Sequence, residues 1–567
     1  MSEKEQVVSG FRDYPLTIDK ILAWVSYAFP NNEIVYWPPG GSRISVTFAE
    51  FADRVRRVTA ALMDLGLKPG KAWEFGSKVA VMEWDTLRYV DLFYAVPSIG
   101  STLYTVNIRL APHDILYTMS VAKPDVLVIN IDDFESFIKP ILDNIKSIKM
   151  VIYMSDRGRV PGQDYGVKMI PYEDLLKHEP LREFPEIDER TPATLLFTSG
   201  TTGPPKGVYF THRQLVLHAM SVTIAMGYPP YNAFFEGGKK PPVSMPLIPL
   251  FHVHGWGTPY TVMLSGARKY VLPGRYDWGH ILKLIHEEGV TFTGGVPTIL
   301  YLLLTHPDSP KYNLSSVRFG NGGSAMPEGL YDAAKARGMI VANGYGMTET
   351  APILTMAYLR PEHLDLPENE RKKVLLTTGL PIPLVLLRVV DGQGNDVPKD
   401  GKTMGELVVW SPWVAKEYLN DPVKTRNAWR DGWFHTEDVA VWLPDGYIII
   451  VDRLKDVVKS GGEWISSVKL ESIISTHPGV GEVAVVGVPH PMWGERPIAI
   501  VVPKPGQRVT EEEIRNHLMQ YVEKGEIPKW WIPDKIIITQ KELPKTSTGK
   551  IDKKILRDSY KDTLLST

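Results

Sequence analysis

At 567 residues, 44% hydrophobic and 23% charged, the chain has the make-up of a globular protein too long for one hydrophobic core. Its 63 Lys and Arg against 65 Asp and Glu exclude the overall basic field that draws in nucleic acid, so a small-molecule partner is expected. It contains no cysteine, which removes disulfides, thiolate metal sites and a cysteine nucleophile together, so any thiol chemistry must use a thiol from outside the chain.

The first residues, Met1 to Gln6, are charged and lack an apolar signal core. No apolar run approaches the roughly 20 residues of a membrane span, and a cytoplasmic protein is expected. Phe48, Phe51, Val55, Val58, Leu62 and Leu65 recur at helical spacing, with Thr47 and Glu50 as a capping box and Gly66 and Pro69 as the stop. Short apolar runs at 126–129 and 150–153 then alternate with helical patterns, as βαβ units do. The stretch Thr198-Ser-Gly-Thr-Thr-Gly-Pro-Pro-Lys-Gly207 lies between the apolar runs 195–197 and 208–210, and reads as a loop joining two strands. Its spacing does not fit the Walker loop, and neither does 544–550, where Pro544 takes the first glycine position. The glycines free backbone N–H groups to converge on phosphate oxygens, the hydroxyls can donate, and Lys206 adds charge; a solvated turn reads equally well from this stretch alone. Thr211 and Gln214 form a second capping box. After Asp452 the texture changes to two buried strands, 483–488 and 497–502, and a helix between Val509 and Val522. The expected fold is α/β, a large multi-layer N-terminal domain over 1–454 with a small, mobile α+β domain over 455–567.

Five stretches stand in one order: the 198–207 loop, Gly344-Tyr-Gly-Met-Thr-Glu349, His435-Thr-Glu-Asp438, 452–466 and Pro544-Lys-Thr-Ser-Thr-Gly-Lys550. Together they resemble the adenylate-forming superfamily over nearly the whole chain. Lys459 to Ser467, Pro489 to Pro497 and Thr105 to Leu110 look most like its medium-chain acyl-CoA ligases. The resemblance implies ATP, Mg2+ and coenzyme A: a carboxylate attacks the α-phosphate to give acyl-adenylate and pyrophosphate, then the coenzyme A thiol displaces AMP. It implies that Thr198, Ser199, Gly200, Thr201, Thr202, Gly203 and Lys206 hold the β- and γ-phosphates. Thr348 would stand at the α-phosphate, Glu349 with Thr201 at the metal, and Lys550 between the attacking carboxylate and the phosphate. Asp438 and Arg453 would hold the ribose. Gly322, Gly323, Ser324, Ala325, Asn343, Gly344, Tyr345, Gly346 and Met347 would form the adenine slot, with Tyr345 stacked on the base. His252 would gate the acyl and thiol tunnel, with His254 in packing. Lys455 would be the hinge of a domain rotation that brings Lys459, Gly461, Gly462, Glu463 and Trp464 to the coenzyme A site. Gly346, where acetate-specific relatives carry Trp, would leave the acyl pocket open to acids longer than propionate, including hydroxylated ones such as 4-hydroxybutyrate.

The sequence departs from the family at Glu437, where Gly is common, and at Asn343, where a longer amide or acid is common. The competing readings are an acyl-AMP ligase loading a carrier protein and a non-catalytic nucleotide- or CoA-binding protein. A homodimer is expected by analogy only.

Overall fold

The computed structural model describes residues 13–198, 204–227, 242–461, 463–545 and 551–565. Two large sheets share one core. The first has seven strands, in the order Lys168–Pro171, Met150–Met154, Val126–Asn130, Lys78–Met82, Thr102–Thr105, Pro192–Phe197 and Gly207–Thr211. All neighbours are parallel except the last pair, the hairpin that carries the glycine-rich loop. The second has nine strands, with a parallel centre formed by Glu33–Tyr36, Lys269–Leu272, Val243–Ser244, Phe292–Gly295, Arg318–Asn321 and Ile340–Gly346.

Between the sheets lie the helices Ile18–Ala28, Phe48–Asp64, Leu87–Ala95, His212–Gly227 and Val253–Leu264, the last opening on a left-handed turn over Val253 to Gly257, and their apolar faces meet residues of both sheets in the largest core. Two further cores cover the outer faces: one under Pro112–Ala122 and Ile138–Asn144, the other under Trp278–Glu287, Pro297–Thr305 and Glu328–Ala336. This layering follows from parallel strands, whose crossovers leave helices on both faces. The helix expected at Thr47 starts there. The Thr47 hydroxyl accepts from the Glu50 N–H, the Glu50 carboxylate accepts from the Thr47 N–H, and Gly66 follows the end at φ +83°. The Thr211 and Gln214 box also forms.

A third, antiparallel sheet of Leu386–Val390, Gly405–Trp410, Trp433–Trp442, Trp429–Arg430 and Ile448–Arg453 closes the large domain. A separate five-stranded sheet begins at Val458–Ser460 and is dominated by the antiparallel pair Val480–His490 and Gly494–Pro503. The helices Ser467–Ser475 and Glu511–Glu523 pack on it. The chain is thus a large α/β domain with a small α+β domain after it. No helix among the described residues is long and apolar enough to cross a membrane.

Candidate active site

The parallel strands deliver their carboxyl ends to one place. Phe292–Gly295, Arg318–Asn321, Ile340–Gly346 and Pro192–Phe197 all run into the walls of a cavity of about 980 Å³. Carboxyl ends are where open α/β sheets place ligands, because loops there converge from many strands.

At one end of the cavity the glycine-rich loop is closed at its base. The Thr198 N–H donates to the Lys206 carbonyl at 2.9 Å, and the Lys206 N–H donates to the Thr198 hydroxyl at 3.1 Å. Ser199, Gly200, Thr201, Thr202 and Gly203 lie outside the described residues. The Lys206 ammonium sits 4.5 Å over the Tyr418 ring. The Tyr418 hydroxyl in turn donates to Glu349 at 2.7 Å, and the Glu349 backbone carbonyl accepts from the Ala415 N–H at 2.8 Å. Glu349 is only 5% exposed, and burial together with its carboxylate pushes the Tyr418 hydroxyl pKa up. No group of three or more His, Cys, Asp or Glu among the described residues could hold a metal by itself. One carboxylate completed by substrate phosphates and water is, however, the usual mode for Mg2+, and Glu349, which shares Tyr418 with Lys206 in the cavity wall, fits it.

Thr348, Met347 and Gly346 continue this wall. Backbone packing alone gives Gly346 a reason to be glycine. A Cβ there would stand 1.9 Å from the Pro352 carbonyl oxygen, because the strand bulges where Gly346 pairs Ile353. Tyr345 lines the cavity, and its hydroxyl donates to Asp438 at 2.5 Å. Arg453 reaches the other Asp438 oxygen at 2.6 Å. Asp438, 2% exposed, therefore lies beneath the cavity wall with both oxygens engaged. Gly322 and Gly323 line the cavity, whereas Ser324 and Ala325 are exposed and do not: the loop turns outward after Gly323, which has φ +75°. The Asn343 side chain is committed to the fold, accepting from Asn321 at 3.0 Å and donating to the Leu376 carbonyl at 2.9 Å.

His252 lines the cavity where the chain enters an unusual turn. Five consecutive residues, Val253 to Gly257, have positive φ, and only two are glycine. Contacts from the first sheet and its loops hold this turn. Asp85 accepts from the Leu250 N–H at 2.8 Å and from the Tyr276 hydroxyl at 2.7 Å. The Thr105 hydroxyl donates to the Phe251 carbonyl at 3.2 Å, and His254 Nε2 lies 2.9 Å from the Thr194 hydroxyl. Burial, with His252 nearby, pushes His254 down to about 3, which leaves it neutral. The turn lays the Trp256 ring against Gly322, where a Cβ would come within 2.8 Å of it.

From the segment that joins the two domains and the strand beside it, Arg453, Lys455, Lys459 and Glu437 line the cavity. Gly461, Glu463 and Trp464 do not, being held in a hairpin in which Lys459 pairs Trp464 and the Gly461 N–H donates to the Trp493 carbonyl. Gly462 and Lys550 lie outside the described residues. Lys545 and Ile551, the described residues on either side, form an antiparallel bridge, and neither lines the cavity.

Sequence reasoning missed Tyr418, Asp85 and Trp256. Tyr418 and Asp85 stand apart from the predicted motifs and Trp256 lies just past one, and the contacts that bring them to the site join residues 69, 165 and 66 positions apart.

A cavity at the carboxyl ends of the parallel strands, with the base of the glycine-rich stretch and a buried carboxylate in its wall, thus lies in a large α/β domain that is followed by a small α+β one. The chain belongs to the AMP-binding enzyme family: the model of that family matches residues 22–419, and the model of its C-terminal domain matches residues 469–550. It is an acyl-CoA synthetase, an acid–thiol ligase that uses ATP to activate a carboxylic acid. It is 38% identical to a long-chain-fatty-acid–CoA ligase of Thermus thermophilus over 98% of this chain and 97% of that one. It is 36% identical to a 3-methylmercaptopropionyl-CoA ligase of Ruegeria lacuscaerulensis over 97% and 98%. Among solved structures, ATP-bound MatB of Rhodopseudomonas palustris superposes with a TM-score of 0.77 at 25% identity, over 96% of this chain and 99% of that one.

Proposed function

We propose that the chain joins a short- to medium-chain carboxylic acid to coenzyme A in two steps within this cavity. A carboxylate oxygen attacks the α-phosphorus of ATP, the bond to the β-phosphate breaks, and pyrophosphate leaves. The coenzyme A sulfur then attacks the acyl carbon, and the bond to AMP breaks. The observation that carries this reading is the continuity of the cavity from Lys206, Thr348 and Glu349 at the charged end to Val222, Met226, Met245, Phe251 and Phe292 at the apolar end.

Charge develops on phosphate oxygens in the first step, so preorganised cations there lower the barrier. Lys206, stacked on Tyr418, and the Thr348 hydroxyl would serve there, and Glu349 would hold Mg2+. A bound Mg2+ would neutralise triphosphate charge. Arg453, Asp438 and Tyr345 form the unit that orients the ribose and base, and opening one of the two Asp438 contacts would free an acceptor for the sugar. His252 and Trp256 border the acyl branch. In the second step Lys459 faces the cavity from the small domain, and Lys455 is the hinge.

The branch favours an apolar chain. The hydroxyls of Thr258, Thr261 and Thr293 along it already bond Tyr270, the Gly257 carbonyl and the Met245 carbonyl. Each methylene buried there contributes about 0.8 kcal/mol, so an unsubstituted or thioether acid suits it better than 4-hydroxybutyrate. The acids named for the two curated relatives, a long-chain fatty acid and a thioether acid, are both of this apolar kind.

The test is AMP and pyrophosphate release from Mg-ATP with acetate through octanoate, 3-methylmercaptopropionate and 4-hydroxybutyrate, each with and without coenzyme A. AMP turnover that needs both acid and coenzyme A, and rises from acetate to longer acids, supports the reading. Pyrophosphate release that coenzyme A does not accelerate points to a carrier-protein acceptor instead.

A further inference from the structure

Glu437 stands out in the cavity wall on backbone grounds alone. It sits in the strand Trp433–Trp442 between buried Thr436 and buried Asp438, with φ +59°, in the left-handed region that favours glycine. Its backbone is fixed on both sides: its N–H donates to Glu406 at 3.2 Å, and its carbonyl accepts from the Leu454 N–H at 2.8 Å. The strand register pairs Asp438 with Arg453, so Glu437 lies opposite Leu454, the residue before Lys455. Its side chain is exposed and lines the cavity with Lys455 and Lys459.

The other carboxylates around the hinge are committed. Asp438 holds Arg453 and Tyr345, Asp456 holds Arg557 at 2.6 Å, and Asp452 accepts from the Ser467 N–H and hydroxyl, each at 2.6 Å. Glu406 takes His435 at 2.8 Å, and Glu349 takes Tyr418. The Glu437 carboxylate makes no hydrogen bond or ion pair among the described residues. Burial is the main influence on the Lys455 ammonium, lowering its pKa, and Asp456 and Glu437 are the carboxylates that oppose it. A strained position thus holds an uncommitted anion across from the start of the interdomain linker.

We propose that Glu437 is a positioning residue for the hinge, whose carboxylate attracts the Lys455 side chain and biases the small domain towards the orientation that presents Lys459 to the cavity. This rests on the two-step reading above, in which that orientation serves thiol transfer. Backbone torsion at a hinge residue swings its side chain as the domain turns, so an anion fixed on the large domain stabilises the orientation that brings the two charges together. Glycine at 437 would give the same backbone without the charge, so the carboxylate, not the loop shape, carries the effect.

The absence of cysteine permits a direct test. Spin labels at Gln393→Cys in the large domain and Gln507→Cys in the small one, both exposed, report the interdomain distance distribution without reference to activity. Glu437→Gln and Glu437→Gly are expected to lower the population of the dominant distance at least threefold relative to the others. The exchange Glu437→Lys with Lys455→Glu restores it, and neither half of the exchange does so alone. In kinetics, transfer of preformed acyl-adenylate to coenzyme A slows three- to tenfold in both variants, while pyrophosphate release in the first step is unchanged or faster. Glu437→Gly also melts higher than the parent, because it relieves the left-handed strain, which separates the effect from loss of folding. An unchanged distance distribution overturns the proposal. So does a rise in the Mg2+ needed for half-saturation without a change in distances, which would assign the carboxylate to the metal. A parent chain that releases no AMP with any acid refutes the two-step reading, while the distances still decide the hinge.

Discussion

Replacing Asp85 by Asn tests the electrostatics that hold the His252 turn. Asp85 is fully enclosed, and burial pushes its carboxyl up to about 7, against the opposing influence of its bonds from Leu250 and Tyr276. In the unfolded chain the same carboxyl titrates near 3.9. Between about pH 4 and 7 the folded state therefore keeps a proton that the unfolded chain has released. Stability falls as pH rises through that window and levels off above it. With about 1.4 kcal/mol per unit, a displacement of about three units corresponds to about 4 kcal/mol lost between pH 4 and 8. Asn has no such titration, and it can still accept from the Leu250 N–H and donate to the Tyr276 oxygen. Urea unfolding of both proteins at pH 5, 6, 7 and 8 is the assay. The advantage of Asp85→Asn should be smallest at pH 5 and grow by about 2–3 kcal/mol between pH 5 and pH 8. Glu83, which burial also pushes up to about 7, acts equally in both and cancels in the difference. Parallel pH profiles would refute the reasoning and show that water reaches Asp85.

Tyr418→Phe removes the donor to the buried Glu349 carboxylate. It should lower stability by about 1–3 kcal/mol in urea unfolding and reduce kcat/KM for ATP at least tenfold; unchanged values would mean that Lys206 and Glu349 do not depend on this ring. Glu349→Gln should raise the Mg2+ concentration for half-maximal pyrophosphate release severalfold with little change in melting temperature, and equal Mg2+ requirements would remove Glu349 from the metal. Gly346→Ala drives a Cβ into the Pro352 carbonyl and should cost about 3 kcal/mol in urea unfolding. A mild effect there, with only the acid preference altered, would restore pocket room as the sole reason for glycine.

What the sequence made legible was local or contiguous. The helix at Phe48 announced itself through periodicity and a capping box, and the hairpin at 192–211 through two apolar runs around a glycine-rich loop. The residues 343–349 reach the cavity together because one strand end carries them all. Ser324 and Ala325 show the limit of contiguity: they adjoin two cavity glycines, yet the positive φ at Gly323 turns the chain away. The Asn343 amide shows another limit, since its bonds to Asn321 and the Leu376 carbonyl arise from tertiary neighbours that no spacing rule reports.

The run Val253 to Gly257 was least legible of all, and it governs where His252 and Trp256 stand. Left-handed backbone costs about 1–2 kcal/mol for each residue other than glycine, and Val253, His254 and Trp256 are three such residues. The sum, about 3–6 kcal/mol, is comparable with the net stability of a whole domain, so local preference alone would unwind the turn. It persists because contacts distant in sequence determine it. Asp85 and Thr105 fix the approach through Leu250 and Phe251, Thr194 meets the buried His254, and the Trp256 ring seats on the bare backbone of Gly322. Gly255 and Gly257 relieve only part of the strain, and the side chains at 254 and 256 are the ones whose contacts oppose the rest. Strain of this size at a binding site is sustained by the surrounding fold. The geometry of this cavity wall is therefore a property of the assembled sheets, and substitutions at Asp85, Thr105 or Thr194 should change acid preference through this turn without lining the cavity themselves.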